Sequence, residues 1–215
     1  MPSSQVKTVG ILGAGKVGIV LAQLALKAGY AVYIAGSGDP AKIALSVKIL
    51  APGAQAATKQ EVATKSDVVI LALPLSKYKT IPVKELSKKI VIDSLNHWPE
   101  VDGPREDTIA PDISSSEVIQ AYLPTSRVVK ALSHMGYHEL HDNAKPAGTP
   151  NRKAIAIAAN SKEDSQIVAD FINTLGFDPL QIGSLENGRK LEPGTKAFGA
   201  NTTAAELRKR IDSNN

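Results

Sequence analysis

The stretch that decides the fold is residues 8–29, which read TVGILGAGKVGIVLAQLALKAG. Residues 9–12 are a short apolar run typical of a buried strand, and apolar residues recur after it at helical spacing. Between the two, Gly13, Gly15 and Gly18 form the pattern G-x-G-x-x-G. These glycines allow a tight turn, close approach of a pyrophosphate and close packing of helix on strand. The stretch predicts a strand, a phosphate-binding loop and a helix whose free N–H groups and dipole favour a dianion.

Composition restricts the class of protein. The 215-residue chain has the makeup of an ordinary globular protein, and it has no cysteine, which excludes disulfides, thiolate catalysis and cysteine-bound metal. Its start, MPSSQVKT, lacks the features of a signal peptide, and no apolar run is long enough to span a bilayer. We therefore expect a cytoplasmic protein without a membrane contact. The net charge of +4 comes from dispersed basic residues with few aromatics, which argues against nucleic acid and suits an anionic cofactor.

Apolar runs and helix-like segments alternate along the rest of the chain. The further predicted strands are 30–35, 54–57, 67–73, 89–93, 127–132, 154–159 and 178–182. The further predicted helices are 40–50, 59–65, 83–88, 114–123, 162–175 and 202–211. We expect an α/β fold with a doubly wound, mostly parallel Rossmann sheet and a small C-terminal extension. Residues 1–215 would form a single NAD(P)-binding domain, with 98–112 as an exposed loop or lid and 185–215 as a tail that crosses the surface and ends in a short helix.

The end of the second predicted strand indicates which dinucleotide is bound. NAD-binding versions of this fold place an acidic residue there to hold the ribose 2′-OH. Here the chain continues as Gly36-Ser37-Gly38, followed by Asp39, Pro40 and Lys42. A hydroxyl, open backbone amides and a lysine favour a 2′-phosphate, so NADP(H) is predicted. Asp39 is also well placed to cap the helix that follows.

Ligands of a doubly wound sheet lie outside the carboxyl ends of its strands. Leu73 ends one predicted strand, Pro74 follows it, and both should border the nucleotide; Asn96 follows the next strand, where a nicotinamide would sit. A third strand end carries Ser133 and His134, within the sequence SHMGYH.

Three interpretations compete for the histidines at 134, 138 and 141. His134 and His138 would share a helical face and could bind metal, but Gly136 between them disfavours a helix and no glutamate follows His134 directly. Alternatively, His134 and Tyr137 border a hydride-transfer cleft, where they orient the acceptor. Surface histidines without a role are the third possibility. We predict no metal site and a catalytic, acceptor-orienting role for His134.

Several motifs together resemble a known family: GILGAGKVG, AGSGDP, VVILALP, VIDSLNHWP, KALSHMGYHEL, NRKAIAIA and LEPGTKAFG. In order and spacing they are similar to the NADPH-dependent reductases of the deazaflavin coenzyme F420 and to the cytosolic domain of the STEAP metalloreductases. The resemblance implies NADP in the glycine-loop cleft, a flavin-like ring stacked over the nicotinamide, and a homodimer. Two stretches depart from the family pattern: Gly36-Ser37-Gly38 stands where G-S-R is common, and the SHMGYHE loop differs from that of the archaeal deazaflavin enzymes.

By position, the resemblance also implies a set of binding residues. The pyrophosphate would be held by Gly13, Ala14, Gly15, Lys16, Val17 and Gly18. Ser37 and Lys42 would meet the 2′-phosphate, Leu73 and Pro74 would line the adenosine and ribose side, and Ser133 and His134 would lie beside the nicotinamide and acceptor.

The resulting hypothesis is an NADP-dependent oxidoreductase that transfers a hydride between NADP(H) and a flavin-like or deazaflavin acceptor. Such a reaction can be driven by proximity, so it requires no strong acid or base. Two alternatives stay open at this point. One is an NADPH-dependent imine or carbonyl reductase, and the other is a non-catalytic NADP(H)-sensing module, which the same fold could support.

Overall fold

Eight strands within residues 6–213, the range that the computed structural model describes, form one sheet. They are β1 (Thr8–Leu12), β2 (Ala31–Ala35), β3 (Gln55–Ala56), β4 (Val68–Leu71), β5 (Ile90–Asp93), β6 (Arg127–Lys130), β7 (Ala154–Ala159) and β8 (Asp178–Gln181). Their order is β3-β2-β1-β4-β5-β6-β7-β8. The first six strands are parallel, β7 is antiparallel to β6, and β8 is parallel to β7. The order of the first six is that of dinucleotide-binding sheets, so the predicted doubly wound, mostly parallel fold is confirmed.

The helices of the described residues cover both faces of this sheet. They are α1 (Lys16–Lys27), α2 (Ala41–Leu50), α3 (Lys59–Lys65), α4 (Pro99–Asp102), α5 (Ser115–Tyr122), α6 (Tyr137–Asn143), α7 (Lys162–Leu175) and α8 (Ala204–Asp212). Short 3-10 segments span Leu75–Thr80, Arg105–Asp107 and Leu185–Leu191.

The predicted helix at 83–88 is wrong, because the segment consists of turns. Its backbone bonds mix spacings: the N–H of Leu86 donates to the carbonyl of Pro82, four residues back, and that of Lys89 to Leu86, three residues back. Lys88 then adopts a left-handed φ of 63°. That conformation ends any right-handed helix and turns the chain into β5.

Successive side chains of the central strands point to opposite faces of the sheet, so the apolar core has two parts, one on each face. On one face Val9 and Ile11 of β1 pack with α1 and α7, through fully buried side chains such as Leu21 and Ile172. On the other face Leu12 and Leu71 pack with α3 and α5. Each fully buried aliphatic side chain contributes about 2 kcal/mol through removal of apolar surface from water. This two-sided burial explains why β4 reads as a continuous apolar run.

The C-terminal segment packs on the sheet more closely than predicted. Small alanines occupy one face of β7, and Leu191, Leu207 and Ile211 bury their side chains against them. The expectation of a tail that merely crosses the surface is therefore wrong for residues 185–198. Leu185, at the start of this segment, is fully buried in the core that also contains α5.

Two further observations concern the predicted location. No helix within residues 6–213 is long and apolar enough to cross a bilayer. The first residues of the MPSSQVKT stretch, on which the signal-peptide prediction rested, lie outside the described range.

Candidate active site

The glycine loop between β1 and α1 has one side that the protein fills and one that it leaves open. Gly13 has a φ of 130°, and a Cβ there would overlap the carbonyl oxygen of Ala72. A Cβ on Gly18 would overlap the carbonyl oxygen of Gly13, so both glycines are required by packing alone. A Cβ on Gly15 would meet no described atom within 4 Å. The space in front of Gly15 is therefore room for a ligand.

That open space faces the start of α1. Gly15 is the N-cap residue, no side chain caps the helix, and its first turn contains no acidic residue. The first N–H groups of the helix have no intrahelical acceptor, and the dipole adds positive charge. The loop thus fits a pyrophosphate, as the glycine pattern predicts.

The exit of β2 leaves Ser37 and Lys42 open to solvent. Asp39 Oδ1 accepts a hydrogen bond from the N–H of Ala41 at 2.8 Å, so this carboxylate is engaged in starting α2. Both Ser37 and Lys42 are exposed, and neither side chain has a hydrogen-bond partner within residues 6–213. The helix begins at Ala41, one residue later than predicted, and Pro40 is its N-cap residue.

A cavity of about 590 Å³ begins at the glycine loop and follows the carboxyl ends of β4, β5 and β6. Eight of the predicted site residues line it: Gly15, Lys16, Val17, Leu73, Pro74, Asn96, Ser133 and His134. The five others, Gly13, Ala14, Gly18, Ser37 and Lys42, lie outside its lining. Gly13 and Gly18 shape the loop from behind, whereas Ser37 and Lys42 stand on the open surface beyond β2.

Asn96 joins the exits of β5 and β6. Its Nδ2 donates to the carbonyl oxygen of Ser133 at 2.7 Å. The preceding Leu132 has a left-handed φ of 61°, an uncommon conformation for a residue with a branched side chain. Asn96 Oδ1 and Ser133 Oγ are both buried without a hydrogen-bond partner among the described residues. Unpaired buried polar atoms are costly, and here an acceptor and a hydroxyl line the same cavity.

A buried ion pair lies beneath this part of the cavity. Lys130 Nζ is 3.4 Å from Asp93 Oδ2, and both side chains are fully buried. The same ammonium donates to the carbonyl oxygen of Leu95 at 2.5 Å, and Ser116 Oγ donates to Asp93 Oδ2 at 2.6 Å. These bonds fix the chain where it leaves β5. The sequence did not single out this pair, because a lysine and an aspartate 37 positions apart give no local signal.

His134 forms part of the cavity wall and is only 1% exposed. Its Nε2 accepts a hydrogen bond from the N–H of Ala156 at 3.1 Å. Burial lowers the pKa of His134 to about 4, although backbone groups of Ala200 and of the histidine itself act in the opposite direction. The ring is therefore neutral at physiological pH and cannot serve there as a proton donor of imidazolium type.

The other histidines belong to a helix that the sequence argument disfavoured. α6 begins at Tyr137, and Gly136 is its N-cap residue rather than an interior position. His138 lies in the first turn, whereas His134 precedes the helix. The helical spacing that would bring His134 and His138 to one face is absent, because the glycine falls at the boundary, where it is well tolerated.

An aromatic rim closes the far end of the cavity. Trp98 and Phe198 pack edge to face with ring centroids 5.7 Å apart, and Trp98 is 45% exposed. Asp102 holds the turn after Trp98 in place by accepting bonds from the N–H groups of Trp98 and Ser76. Phe198 reaches the site because the N–H of Gly199 donates to the carbonyl of His134 at 2.7 Å. Sequence reasoning missed Phe198 as a site residue; its only signal was the LEPGTKAFG motif.

Part of the sequence matches a known protein family. Residues 8–97 match the family described as NADP oxidoreductase coenzyme F420-dependent. The resemblance inferred from the sequence motifs is confirmed.

Individual proteins that this chain resembles extend the comparison. The F420-dependent NADP reductase of Methanocaldococcus jannaschii is 31% identical over 140 residues, which cover 62% of this chain and 60% of that protein. Metalloreductase STEAP3 of Rattus norvegicus is 27% identical over 187 residues, covering 86% of this chain and 35% of that protein. The chain thus spans three fifths or less of the length of these curated relatives. The crystal structure of a hypothetical protein from Sinorhizobium meliloti is similar over 92% of this chain and 95% of that one, with a TM-score of 0.77 and 26% identity.

Proposed function

We propose that the protein is an NADP(H)-dependent oxidoreductase that transfers a hydride between the nicotinamide and a planar, flavin-like acceptor. One observation carries the proposal: the open glycine loop leads directly into a cavity that ends at an exposed aromatic rim, formed by Trp98 and Phe198. A dinucleotide and a second ring system need such a continuous space. The family match over residues 8–97 and the F420-dependent NADP reductase among the relatives support it.

In this proposal the cofactor is held by groups along the exits of the parallel strands. The N–H groups at the start of α1 bind the pyrophosphate, and Ser37 and Lys42 meet the 2′-phosphate. Leu73 and Pro74 border the ribose. The unpaired Asn96 Oδ1 and Ser133 Oγ match a primary carboxamide, which offers an N–H₂ donor and a carbonyl acceptor.

NADP(H), when bound, supplies or accepts the hydride. The balanced reaction is NADPH plus a proton plus oxidised acceptor giving NADP⁺ plus the two-electron-reduced acceptor, with the proton drawn from solvent. The protein contributes orientation and exclusion of water. His134 acts as a neutral, fixed part of the wall that holds the acceptor in register, in keeping with the orienting role predicted from the sequence.

Spectroscopy tests this function directly. Protein is mixed with NADPH and each candidate acceptor, including flavins, a deazaflavin, a cyclic imine and a ferric chelate, and absorbance is followed at the nicotinamide band. Oxidation with a flavin or deazaflavin is expected. Tight NADPH binding in calorimetry without oxidation by any acceptor would instead indicate an NADP(H)-sensing module, and turnover with the imine alone would indicate an imine reductase.

Homodimerisation and a cytoplasmic location remain predictions of the family resemblance and the composition. Sedimentation of the purified chain gives its oligomeric state, and a mass of one 22.7 kDa chain would contradict the dimer.

A further inference from the structure

We infer that Asp93 and Lys130, the buried ion pair beneath the cavity, are positioning residues that hold Asn96 where its Oδ1 accepts a hydrogen bond from the nicotinamide carboxamide. The inference rests on the proposed function and deepens it, because it assigns part of the orientation of the ring to residues that do not touch the cofactor. Neither residue of the pair is among the described residues that line the cavity. Its effect on the ring must therefore pass through a residue of the wall.

The pair holds both backbone polar groups of Leu95, the residue before Asn96. Asp93 Oδ1 accepts a hydrogen bond from the Leu95 N–H at 2.9 Å, and Lys130 Nζ donates to the Leu95 carbonyl oxygen at 2.5 Å. Asp93 and Lys130 are register partners on β5 and β6, so the two strands hold this residue together. The Leu95 carbonyl belongs to the planar peptide bond that leads to Asn96. The ammonium therefore fixes the peptide plane from which Asn96 continues.

The ion pair is itself confined. Ser116 Oγ donates to Asp93 Oδ2 at 2.6 Å, and Ser115 Oγ lies 3.4 Å from Lys130 Nζ. From the C-terminal segment, Gly188 approaches so closely that a Cβ there would lie 3.4 Å from Lys130 Cγ. A charge in the core is costly once it loses a polar partner. The pair is thereby restricted to one arrangement, and so is the peptide that it holds.

The side-chain amide of Asn96 has only one orientation that satisfies its neighbour. Its Nδ2 donates to the carbonyl oxygen of Ser133 at 2.7 Å, and a carbonyl oxygen can only accept, so the amide cannot be flipped. Its Oδ1 is buried without a partner among the described residues, and Asn96 lines the cavity. A free acceptor held in this way suits the N–H₂ group of a carboxamide.

A separate contact fixes the chain one residue earlier. Ser94 Oγ donates to the carbonyl oxygen of Leu71 at 2.5 Å, which joins this turn to the end of β4. Residues 94, 95 and 96 are thus bonded in succession to the ends of β4, β6 and the exit of β6. Binding of the nicotinamide would cost little ordering of the protein, since the acceptor is already in place.

Two ligands that differ by the nicotinamide measure what the ring contributes to binding. They are NADP⁺ and 2′-phospho-ADP-ribose, which lacks the ring. The ratio of their dissociation constants, from calorimetric titration, requires neither an acceptor nor turnover. In the parent protein NADP⁺ should bind about tenfold more tightly, because only NADP⁺ forms the hydrogen bonds of the carboxamide. A role of the pair in folding alone would weaken both ligands alike and leave this ratio unchanged.

The test variant is Asp93→Asn/Lys130→Met, which removes both charges together and leaves no uncompensated ion in the core. The introduced amide oxygen can still accept from the Leu95 N–H, whereas the Leu95 carbonyl loses its donor. The variant should unfold cooperatively and bind 2′-phospho-ADP-ribose as the parent does. Its preference for NADP⁺ should fall to about twofold or less.

Arg127→Met/Asp164→Asn is the matched control. Arg127 is the first residue of β6, at the opposite end of the strand from Lys130, and its Nε donates to Asp164 Oδ1 at 2.7 Å. The control removes an ion pair from the same strand by the same kind of substitution. It should keep the parent's ratio.

A double-mutant cycle tests whether the pair acts through Asn96. Asn96→Ala removes the acceptor itself and should lower the ratio at least as far as the pair variant does. Combining the two should lower it no further, because effects that pass through one residue are not additive. Additive losses would show that the pair acts elsewhere and would overturn the inference.

Ser116→Ala provides a second variant if the pair variant does not fold. It removes only the hydrogen bond to Asp93 Oδ2, and it should lower the preference for NADP⁺ about two- to threefold with unchanged binding of the fragment. A parent-like ratio in a folded variant of either kind overturns the inference. Equal affinity of the parent for the two ligands does the same while leaving dinucleotide binding in place, and failure of the parent to bind either ligand or NADPH overturns the proposed function as well.

Discussion

The ammonium of Lys130 donates a 2.5 Å hydrogen bond to the carbonyl oxygen of Leu95 and thereby ties the end of β6 to the first turn of chain after β5. Both strand ends carry residues of the cavity wall. The side chain of Lys130 is fully buried, and its ammonium also forms an ion pair with the buried carboxylate of Asp93. A charged pair of this kind stabilises one arrangement of the wall, since neither partner can be left alone in the core without a large cost.

Lys130→Met should therefore lower the free energy of unfolding by about 3–5 kcal/mol, because Asp93 is left buried with its charge uncompensated. Urea denaturation followed by circular dichroism measures the loss. Lys48→Met on α2 is the control; Lys48 is exposed, and the change expected there is within about 0.5 kcal/mol. A loss below 1 kcal/mol in Lys130→Met would show that the pair is dispensable.

Gly15→Ala and Gly18→Ala should separate binding from folding. A methyl group at Gly15 enters open space, so stability should stay within about 0.5 kcal/mol while NADPH affinity falls at least tenfold. A methyl at Gly18 overlaps the Gly13 carbonyl, and the overpacking should cost about 1–3 kcal/mol. Thermal unfolding and calorimetric titration with NADPH provide the two readouts. Unchanged NADPH affinity in Gly15→Ala would place the pyrophosphate elsewhere.

The 2′-phosphate assignment predicts a change in cofactor preference. The double variant Ser37→Ala/Lys42→Ala should weaken NADPH about tenfold or more and leave NADH affinity nearly unchanged, because only NADPH presents a phosphate to these side chains. Thermal shift with each dinucleotide provides the measurement. Lys48→Ala, on the same helix, serves as the control and should affect neither. Equal stabilisation of the parent protein by NADH and NADPH would count against the assignment.

Burial of neutral His134 makes stability depend on pH in a defined direction. The unfolded chain takes up a proton near pH 6.5, whereas in the folded protein the pKa lies at about 4. Stability should therefore be complete above pH 6.5 and fall as the pH drops toward 4, by on the order of 3 kcal/mol.

Denaturation at pH 7.5 and pH 4.5 tests this dependence. His134→Gln retains a side-chain acceptor for the Ala156 N–H but cannot titrate, so its loss of stability between the two pH values should be smaller than that of the parent. His141→Gln is the matched control, because His141 is exposed. A parent-like pH dependence in His134→Gln would assign the acid sensitivity to other groups.

The sequence was sufficient for the strand, glycine turn and helix of residues 8–27, because this unit is encoded locally. Gly18 is required by a contact within that unit, with the carbonyl of Gly13, whereas Gly13 is required by a contact with the carbonyl of Ala72 after β4. The fold class and the end of β5 at Asp93 also followed from local apolar runs, and the family resemblance followed from the motifs, whereas β4 ends at Leu71, two residues before its predicted end. One predicted helix, at 83–88, is absent from the structure. The segment is short and ends at Lys88, whose left-handed φ is incompatible with a right-handed helix.

The second half of the site depended on tertiary contacts that no local pattern carries. His134 looked like a loop residue, and only packing against Ala156 and Gly199 shows that its ring is buried and uncharged. Phe198 was assigned to a surface tail, because nothing near it in sequence indicates that β7 offers an alanine face for the C-terminal segment to cover. The helix after Gly136 was missed because a glycine at a boundary and one in an interior look alike in sequence.

The family match ends at His97, and Trp98 is the next residue of the chain. The shared portion contains the glycine loop and the exits of β2 and β4, whereas Trp98, the histidine wall and Phe198 all lie beyond it. In the proposed function, the groups that would hold the cofactor phosphates therefore precede position 98, whereas the aromatic rim that would meet the acceptor begins at that position. In the proposed function, substitutions after position 97 would change the acceptor while the phosphate-binding loop stays the same.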